Sequence, residues 1–142
     1  MKYVLDTDHI SFIQRKQNPE FRAIQANFSL HAGDEIFSSV VSFHEQVLGG
    51  HNYIARARTT QDLIHGYKLL DDALTIFQHV SVLQMDLAAV NTLDQLVANR
   101  VRLKAMDLRI AAITLSVGGV LVTRNARDFT RVPGLVIDDW SR

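Results

Sequence analysis

Short apolar runs rich in strand-forming residues alternate along the chain with longer segments whose apolar residues recur at helical spacing. The short runs are typical of buried strands, and the longer segments are typical of helices that bury one face. Strands that alternate with helices predict a mainly parallel sheet covered on both faces. We therefore predict an α/β fold, a single three-layer α/β/α domain over residues 1–142. The predicted strands cover residues 3–5, 35–39, 79–83, 120–123 and 135–137.

Several helices have recognisable start signals. Asn18-Pro19-Glu20 combines an N-cap residue, a proline at the first helical position and an acid in the first turn. Asp86 is expected to cap a helix that runs to residue 98. Ser42 and Glu45 fit the capping box Ser-x-x-Glu, which predicts a helix that begins at Ser42. The pair Gly49-Gly50 inside this helix either weakens it or marks close packing against another element.

Composition narrows the class of protein. The 142 residues include 47% hydrophobic residues and no cysteine, which predicts a single well-packed domain without disulfides or thiolate metal sites. Fifteen basic and fifteen acidic residues cancel, so any contact with nucleic acid must come from a local patch. No apolar run has membrane-spanning length, and Met1 leads directly into a strand. We therefore expect no membrane partner and a cytoplasmic location.

Four acidic residues lie where strands end or helices begin. Asp6 follows the first strand, Glu45 lies early in the helix after the second, Asp107 opens an apolar helix, and Asp128 lies beyond the fourth strand. The carboxyl ends of parallel strands share one rim of the sheet, so we expect these side chains to lie close together. Clustered carboxylates repel each other, and the usual remedy is a hard cation such as Mg²⁺ or Mn²⁺. Such an ion can bind a phosphodiester and activate water.

Each acid also has a purely structural explanation. Asp6 or Asp8 can cap the first helix, Glu45 can serve the capping box, Asp107 can be an N-cap and Asp128 can be a turn residue. For any single residue this explanation is the more common one. Four acids at one rim are much harder to explain in this way. The metal site is therefore the favoured interpretation.

These residues lie in motifs that resemble the PIN domain, and within it the VapC-type ribonuclease toxins of bacterial toxin–antitoxin pairs. The resemblance covers the full length in the family's order. Its motifs are VLDTDHIS, SVVSFHEQVLGG, MDLRIAA and LVTRNARDFTRVPGLVIDDW, which begin at residues 4, 39, 106 and 121. The resemblance implies a PIN-like nuclease domain over residues 1–142 that cleaves RNA with Mg²⁺ or Mn²⁺.

The resemblance also implies roles for individual residues and partners. Asp6, Glu45, Asp107 and Asp128 match the acidic metal site of the family, and Asn125 matches a polar residue beside it. Asp8 stands where the family usually has asparagine, so it is an additional accessory acid. Lys104 lies in a loop that more often carries glycine in the family. Family members are commonly dimeric and pair with an antitoxin.

Two further features of the sequence are consistent with a protein partner and an RNA substrate. The helices between Glu45 and Phe77 carry many apolar residues, which either cover the sheet or hold a second copy of the chain or an antitoxin. We expect a homodimer that also binds a cognate antitoxin. The basic residues that could contact RNA phosphates, unless they only aid solubility, are Arg102, Lys104, Arg124 and Arg127.

Two other functions remain open at this point. Asp6-Thr7-Asp8 resembles the Asp-x-Asp signature of haloacid-dehalogenase-like phosphatases, in which the first aspartate is the nucleophile. Asp138 and Asp139 would then have to supply the later acids, although they lie unusually near the C-terminus for that fold. The other alternative is a non-catalytic PIN-like module that binds RNA or protein.

Overall fold

Strands and helices alternate along the chain, as the apolar pattern predicts. The computed structural model describes residues 1–142, and none of its helices is long and apolar enough to cross a membrane. In chain order the elements are β1 Lys2–Leu5, α1 Thr7–Arg15, α2 Pro19–Leu30, β2 Glu35–Ser39, α3 Val40–Ala55, α4 Thr60–Phe77, β3 Ser81–Leu83, α5 Leu87–Ala98, α6 Ala105–Ser116, β4 Val120–Val122, α7 Ala126–Phe129 and β5 Val136–Asp138.

The first strand of the chain is the central strand of the sheet. The order is β3-β2-β1-β4-β5, and every neighbouring pair is parallel. Val4 lies opposite Phe37 on one side and Leu121 on the other, and Leu121 in turn lies opposite Ile137. Because all strands run in one direction, their carboxyl ends and the helices that follow them share one rim.

Alternation along the strands divides the core into two layers. Val4 and Leu121 point to one face and pack with buried residues of α3, α5 and α6. Leu5 and Val122 point to the other face, where they join residues of α1, α2 and the C-terminal Trp140. Each fully buried side chain of this size contributes roughly 1.5–3 kcal/mol to stability. The predicted single-domain, three-layer α/β/α fold is confirmed.

Helices α3 and α4 pack closely because glycine lies at their contact. A Cβ atom on Gly50 would come within 2.6 Å of Leu70 Cδ2, and one on Gly66 within 2.6 Å of Ile54 Cγ1. Close packing is therefore the correct explanation of Gly50. A Cβ atom on its neighbour Gly49 would meet nothing within 4 Å, so Gly49 makes no such contact.

The prediction that α3 begins at Ser42 with a capping box is wrong. The helix begins at Val40, and its N-cap is Ser39, whose hydroxyl accepts a hydrogen bond from the Ser42 amide at 3.1 Å. The chain offers two serines three residues apart, and the first one is the last residue of β2. The caps predicted at Asn18 and Asp86 are confirmed, since their side chains accept from the Phe21 and Ala89 amides.

Candidate active site

Asp6 lies at the point where β1 ends and α1 begins. It is the N-cap of α1, and its Oδ1 accepts a hydrogen bond from the Thr7 amide at 2.7 Å. Its Oδ2 accepts one from the Thr123 hydroxyl at 2.8 Å, just beyond β4. Only 6% of the residue is exposed. The capping explanation is therefore correct for Asp6, but it accounts for one oxygen only.

Burial and neighbouring charge disfavour the carboxylate form of Asp6. Burial is the largest cause and the charge of Asp8 the second, and together they raise the pKa of Asp6 to about 7. Hydrogen bonds from Thr123 and Thr7 oppose this rise, and the charge of Asp107 adds to it. A carboxylate with such a pKa at a sheet rim is a common mark of a functional site.

Asp8 lies in the first turn of α1, half-buried beside Asp6. Its Oδ1 is 2.7 Å from the His9 ring nitrogen Nδ1, and its Oδ2 accepts a hydrogen bond from the Arg124 amide at 3.0 Å. Its charge raises the pKa of Asp6, Glu45 and Asp107. Asp8 therefore belongs to the acidic cluster electrostatically, and each of its oxygens, like each oxygen of Asp6, has one hydrogen-bond partner.

Glu45 reaches the cluster from the second turn of α3. Its Oε1 accepts a hydrogen bond from the Thr7 hydroxyl at 3.0 Å, and the Ser42 hydroxyl lies 3.0 Å from the same Thr7 oxygen. Burial is the main cause that raises the pKa of Glu45, the Thr7 hydrogen bond lowers it, and the charge of Asp107 raises it. With the cap supplied by Ser39, Glu45 has no capping role and its side chain points to the rim.

Asp107 is not an N-cap either. Lys104 occupies the cap position of α6 without a side-chain hydrogen bond, and Asp107 lies in the first helical turn. Burial raises its pKa most, the positive charge of Lys104 opposes this, and the charges of Asp128 and Asp8 add to it. Lys104 is thus a direct electrostatic neighbour of an acid of the cluster.

Asp128 and Asn125 form the outer edge of the rim. The Asn125 side chain donates a hydrogen bond to Asp128 Oδ2 at 3.0 Å. The backbone amide of Asn125 donates to the Thr123 hydroxyl, also at 3.0 Å. Asp128 lies in the first turn of α7 and makes no capping bond. Since Thr123 also bonds Asp6, one hydroxyl connects this edge to the centre of the cluster.

The predicted acids lie at one rim of the sheet, but their side chains do not converge on a single metal-binding position. No group of three or more His, Asp or Glu side chains is placed to hold a metal ion as it stands. The donor set nevertheless fits Mg²⁺ in its chemistry. Carboxylates that raise each other's pKa need a counter-cation, and Mg²⁺ is usually held by one or two carboxylates with water in the other positions.

Sequence reasoning missed the hydroxyls that hold the acids. Thr7 contacts Glu45, and Thr123 contacts Asp6 from the opposite end of the chain, 117 residues away. The position of each threonine in the sequence could have indicated this role. Thr7 directly follows Asp6, and Thr123 directly follows a buried strand. A polar residue at the carboxyl end of a parallel strand faces the ligand rim.

A polar cavity opens beside Glu45 between α1, α3 and α4. Its volume is about 540 Å³, and Leu69 is the one hydrophobic residue in its lining. Arg15 also lines it and makes no ion pair, whereas Lys68 is bonded to Asp72. Of the acids at the rim, Glu45 is the one that lines this cavity.

The comparison with known proteins decides the family. The tRNA(fMet)-specific endonuclease VapC of Shigella flexneri is 30% identical over 145 residues, covering 99% of both chains. The protein of the same name from Salmonella typhimurium is 29% identical over 143 residues, covering 99% of this chain and 98% of that one. The chain belongs to the VapC family of endonucleases. No protein-family model matches the sequence.

Solved structures agree with the VapC assignment at the level of the fold. VapBC-1 from nontypeable Haemophilus influenzae has a TM-score of 0.76 at 22% identity and covers 100% of both chains. DNA-bound VapBC from Salmonella typhimurium has a TM-score of 0.73 at 24% identity, covering 99% of this chain and 98% of that one. The predicted resemblance to VapC and the expected nuclease class are confirmed.

VapC membership also decides against the phosphatase alternative, and the structure gives the physical reason. The Asp138 carboxylate accepts a hydrogen bond from the Trp140 indole at 3.0 Å. Asp139 accepts from the amide and hydroxyl of Ser141. Both acids are therefore committed to the C-terminal tail and cannot complete a site around Asp6.

Proposed function

We propose that this VapC is a toxin endoribonuclease that hydrolyses RNA phosphodiesters with Mg²⁺ or Mn²⁺, and that Asp6, Glu45, Asp107 and Asp128 form its metal and catalytic site. The observation that carries the proposal is the placement of these acids at one rim of the sheet, where Thr7 and Thr123 hold Glu45 and Asp6 by hydrogen bonds. The pKa of Asp6, Glu45 and Asp107 all rise through burial and through the charges of neighbouring acids. Such mutual repulsion is costly for folding alone and useful for binding a divalent cation.

The position of each acid suggests its role in metal binding or in orienting water. Asp6 and Glu45 would hold the cation, because threonine hydroxyls fix their carboxylates, and Asp107 would complete the set. When bound, the ion supplies charge for the phosphate and lowers the pKa of water. Asp128 accepts a hydrogen bond from Asn125 on Oδ2, and its Oδ1, which lies 3.8 Å from the Arg131 guanidinium, would orient the attacking water. The oriented carboxylate can also accept the proton that this water loses.

RNA would reach the rim through exposed basic residues. Arg102, Lys104, Arg124 and Arg127 are all exposed, and Lys104 lies in the loop that leads into Asp107. Because the net charge of the chain is zero, these local cations have to supply the phosphate contacts. The names of the two VapC relatives specify tRNA(fMet), so this tRNA is the first substrate to test, and a tRNA substrate is consistent with the expected cytoplasmic location.

We further propose an antitoxin partner and a homodimer. Leu63, Ile64, Tyr67 and Leu74 on α4 are 45%, 63%, 58% and 56% exposed. Apolar residues that recur on one helix face and remain uncovered are typical of a docking surface. The two structures with high TM-scores are of VapBC complexes, which supports a VapB-like antitoxin as one occupant. A cationic segment of that antitoxin would be attracted to the acidic rim.

The proposal is tested by cleavage of purified tRNA(fMet) and of a second tRNA at fixed Mn²⁺, with a chelator as the blank. Asp6→Asn should lower cleavage by at least about tenfold, since each factor of ten corresponds to ~1.4 kcal/mol of barrier. The same substitution should reduce the rise in melting temperature that Mn²⁺ produces, because a ligand bound only by the folded state stabilises it.

Asp94→Asn is the matched control, because Asp94 is exposed on α5 and makes no hydrogen bond or ion pair. It should cleave and melt like the wild type. Mn²⁺-independent cleavage, or a melting curve that Mn²⁺ leaves unchanged, would remove the metal site from the proposal. Cleavage of the second tRNA at an equal rate would remove the tRNA(fMet) preference and leave the nuclease assignment intact.

A further inference from the structure

His9 is completely buried between the acidic rim and the C-terminal tail. Its Nδ1 lies 2.7 Å from Asp8 Oδ1, and its Nε2 accepts a hydrogen bond from the Trp140 backbone amide at 3.2 Å. An amide can only donate, so Nε2 must offer its lone pair and carry no proton. The proton of the neutral ring is then on Nδ1 and is donated to Asp8. The two contacts together specify one tautomer and one ring orientation.

The tail that provides this amide is firmly held. Trp140 is fully buried, and its indole stacks on the His31 ring with centroids 4.7 Å apart and planes 22° from parallel. Phe28 packs edge-on against the same indole at 5.8 Å, and the indole nitrogen donates to Asp138. Asp139 lies 3.6 Å from Nε2, but its carboxylate is taken by Ser141. The Trp140 amide is therefore the group that orients His9.

The other oxygen of Asp8 extends the connection to the outer edge of the rim. It accepts a hydrogen bond from the Arg124 amide at 3.0 Å. Arg124 lies between Thr123, which bonds Asp6, and Asn125, which bonds Asp128. Fixing this one amide fixes the backbone that presents both neighbours. A continuous path of hydrogen bonds thus runs from the tail through His9 and Asp8 to the loop between β4 and α7.

We propose that His9 is a positioning residue. The Trp140 amide of the C-terminal tail fixes its tautomer, and the Nδ1 proton placed in this way holds Asp8 and, through Asp8, the Asn125–Asp128 edge of the active site. The inference rests on the proposed nuclease function for its catalytic consequence and on the hydrogen bonds alone for its structural part. His9 would act as the outer-sphere partners of metal sites do. Such residues do not touch the substrate, but they orient the groups that bind it or react with it.

Two substitutions separate the two contacts of His9. In His9→Asn the side-chain amide stands where Nδ1 was, so the donor to Asp8 is kept and the acceptor for the Trp140 amide is lost. In His9→Gln the side-chain oxygen can reach the position of Nε2, so the tail contact is kept and the donor to Asp8 is lost. His51→Gln is the control, because His51 is exposed and makes no hydrogen bond.

The first measurement does not depend on activity. Nitrogen NMR of the wild-type ring should show a protonated Nδ1 and an unprotonated Nε2 for His9. The Arg124 amide proton, shifted downfield by its bond to Asp8, should move upfield in His9→Gln and stay near its wild-type position in His9→Asn. A protonated Nε2, or an Arg124 resonance that neither substitution moves, would overturn the proposal, even if His9→Gln did not fold well enough for an assay.

The second measurement is RNA cleavage at saturating Mn²⁺. His9→Gln should lower kcat by about tenfold with KM unchanged, the scale of effect seen for outer-sphere partners. His9→Asn should keep kcat within about threefold of the wild type, because its side-chain amide donates to Asp8 without the Trp140 contact that sets the tautomer of histidine. Equal losses in both variants would make His9 a space-filling residue and overturn the proposal. A wild type that does not cleave RNA would refute the nuclease function instead, and the NMR result would still decide the positioning role.

Discussion

The Thr7 hydroxyl lies 3.0 Å from the Glu45 carboxylate and connects the start of α1 to the second turn of α3. The Ser42 hydroxyl lies 3.0 Å from the same Thr7 oxygen, so the single hydrogen of Thr7 is available for the carboxylate while Ser42 donates to Thr7. Two helices that follow different strands are thus bonded to each other at the rim. The orientation of Glu45 depends on this contact.

Replacement of Thr7 by valine tests that dependence, because valine keeps the shape and removes the hydroxyl. Thr7→Val should lower the free energy of unfolding by about 1 kcal/mol, the usual scale for one hydrogen bond. It should raise the Mn²⁺ concentration for half-maximal cleavage by about tenfold. Thr75→Val on the exposed surface of α4 is the matched control and should change neither quantity. An unaltered Mn²⁺ requirement in Thr7→Val would mean that Glu45 is oriented by other contacts.

Stability of the metal-free protein should fall as the pH rises towards neutrality. Between about pH 4 and pH 7 the folded chain keeps a proton on Asp6 that the unfolded chain has released, because burial and Asp8 raise the pKa of Asp6 from 3.8 to about 7. Folding is therefore favoured below this window and loses up to about 4 kcal/mol from this group across it. The measurement is urea unfolding in chelator from pH 4.5 to 8.

The slope of that pH dependence should become shallower in Asp6→Asn and stay the same in Asp94→Asn. A residual slope of the same sign is expected, since the pKa of Glu45 and of Asp107 is raised as well. Wild-type stability that rises steadily across the window would show that the rim acids are not strained by burial, contrary to the argument for a cation.

Substitutions of Ser39 and Glu45 should show that Ser39 stabilises the fold and that Glu45 serves RNA cleavage. Ser39→Ala removes the N-cap of α3 and should cost about 1 kcal/mol of stability. Glu45→Gln leaves that cap intact, so its stability in chelator should remain within about 0.5 kcal/mol, helped by the loss of like-charge repulsion. Single-turnover RNA cleavage should fall by at least about tenfold in Glu45→Gln. Wild-type cleavage by Glu45→Gln would remove Glu45 from the site.

One glycine in each of α3 and α4 offers a matched pair that tests the contact between these helices. Gly66→Ala would place a methyl group 3.1 Å from the Ile54 amide nitrogen, so it should destabilise the fold by about 1–3 kcal/mol. Gly49→Ala meets nothing within 4 Å and should stabilise by about 0.5–1 kcal/mol through helix propensity. Chemical denaturation gives both values. Similar effects of the two substitutions would show that α3 and α4 can separate at little cost.

The sequence contained enough information for the fold and for the position of the acids. Strand ends are visible as apolar runs that stop at a polar residue, and Asp6 was located in this way. The cap of α3 was misassigned because Ser39 and Ser42 both fit an N-cap and the Glu45 match favoured the second. The partners of Asp6 and His9 could not be found, since Thr123 and Trp140 lie 117 and 131 residues away and meet them only through the sheet topology.

The central place of β1 has a consequence for the protein during its synthesis. Strand β1 can pair with β2 soon after both are made, but its other edge stays open until β4 at Val120–Val122 is made. The hydroxyl of Thr123, which bonds Asp6, is made only after β4, and Asp128 is synthesised after Thr123. A chain that has not yet reached β4 therefore carries Asp6 without Thr123 or Asp128, and the acidic rim assembles only after β4 and α7 have been made.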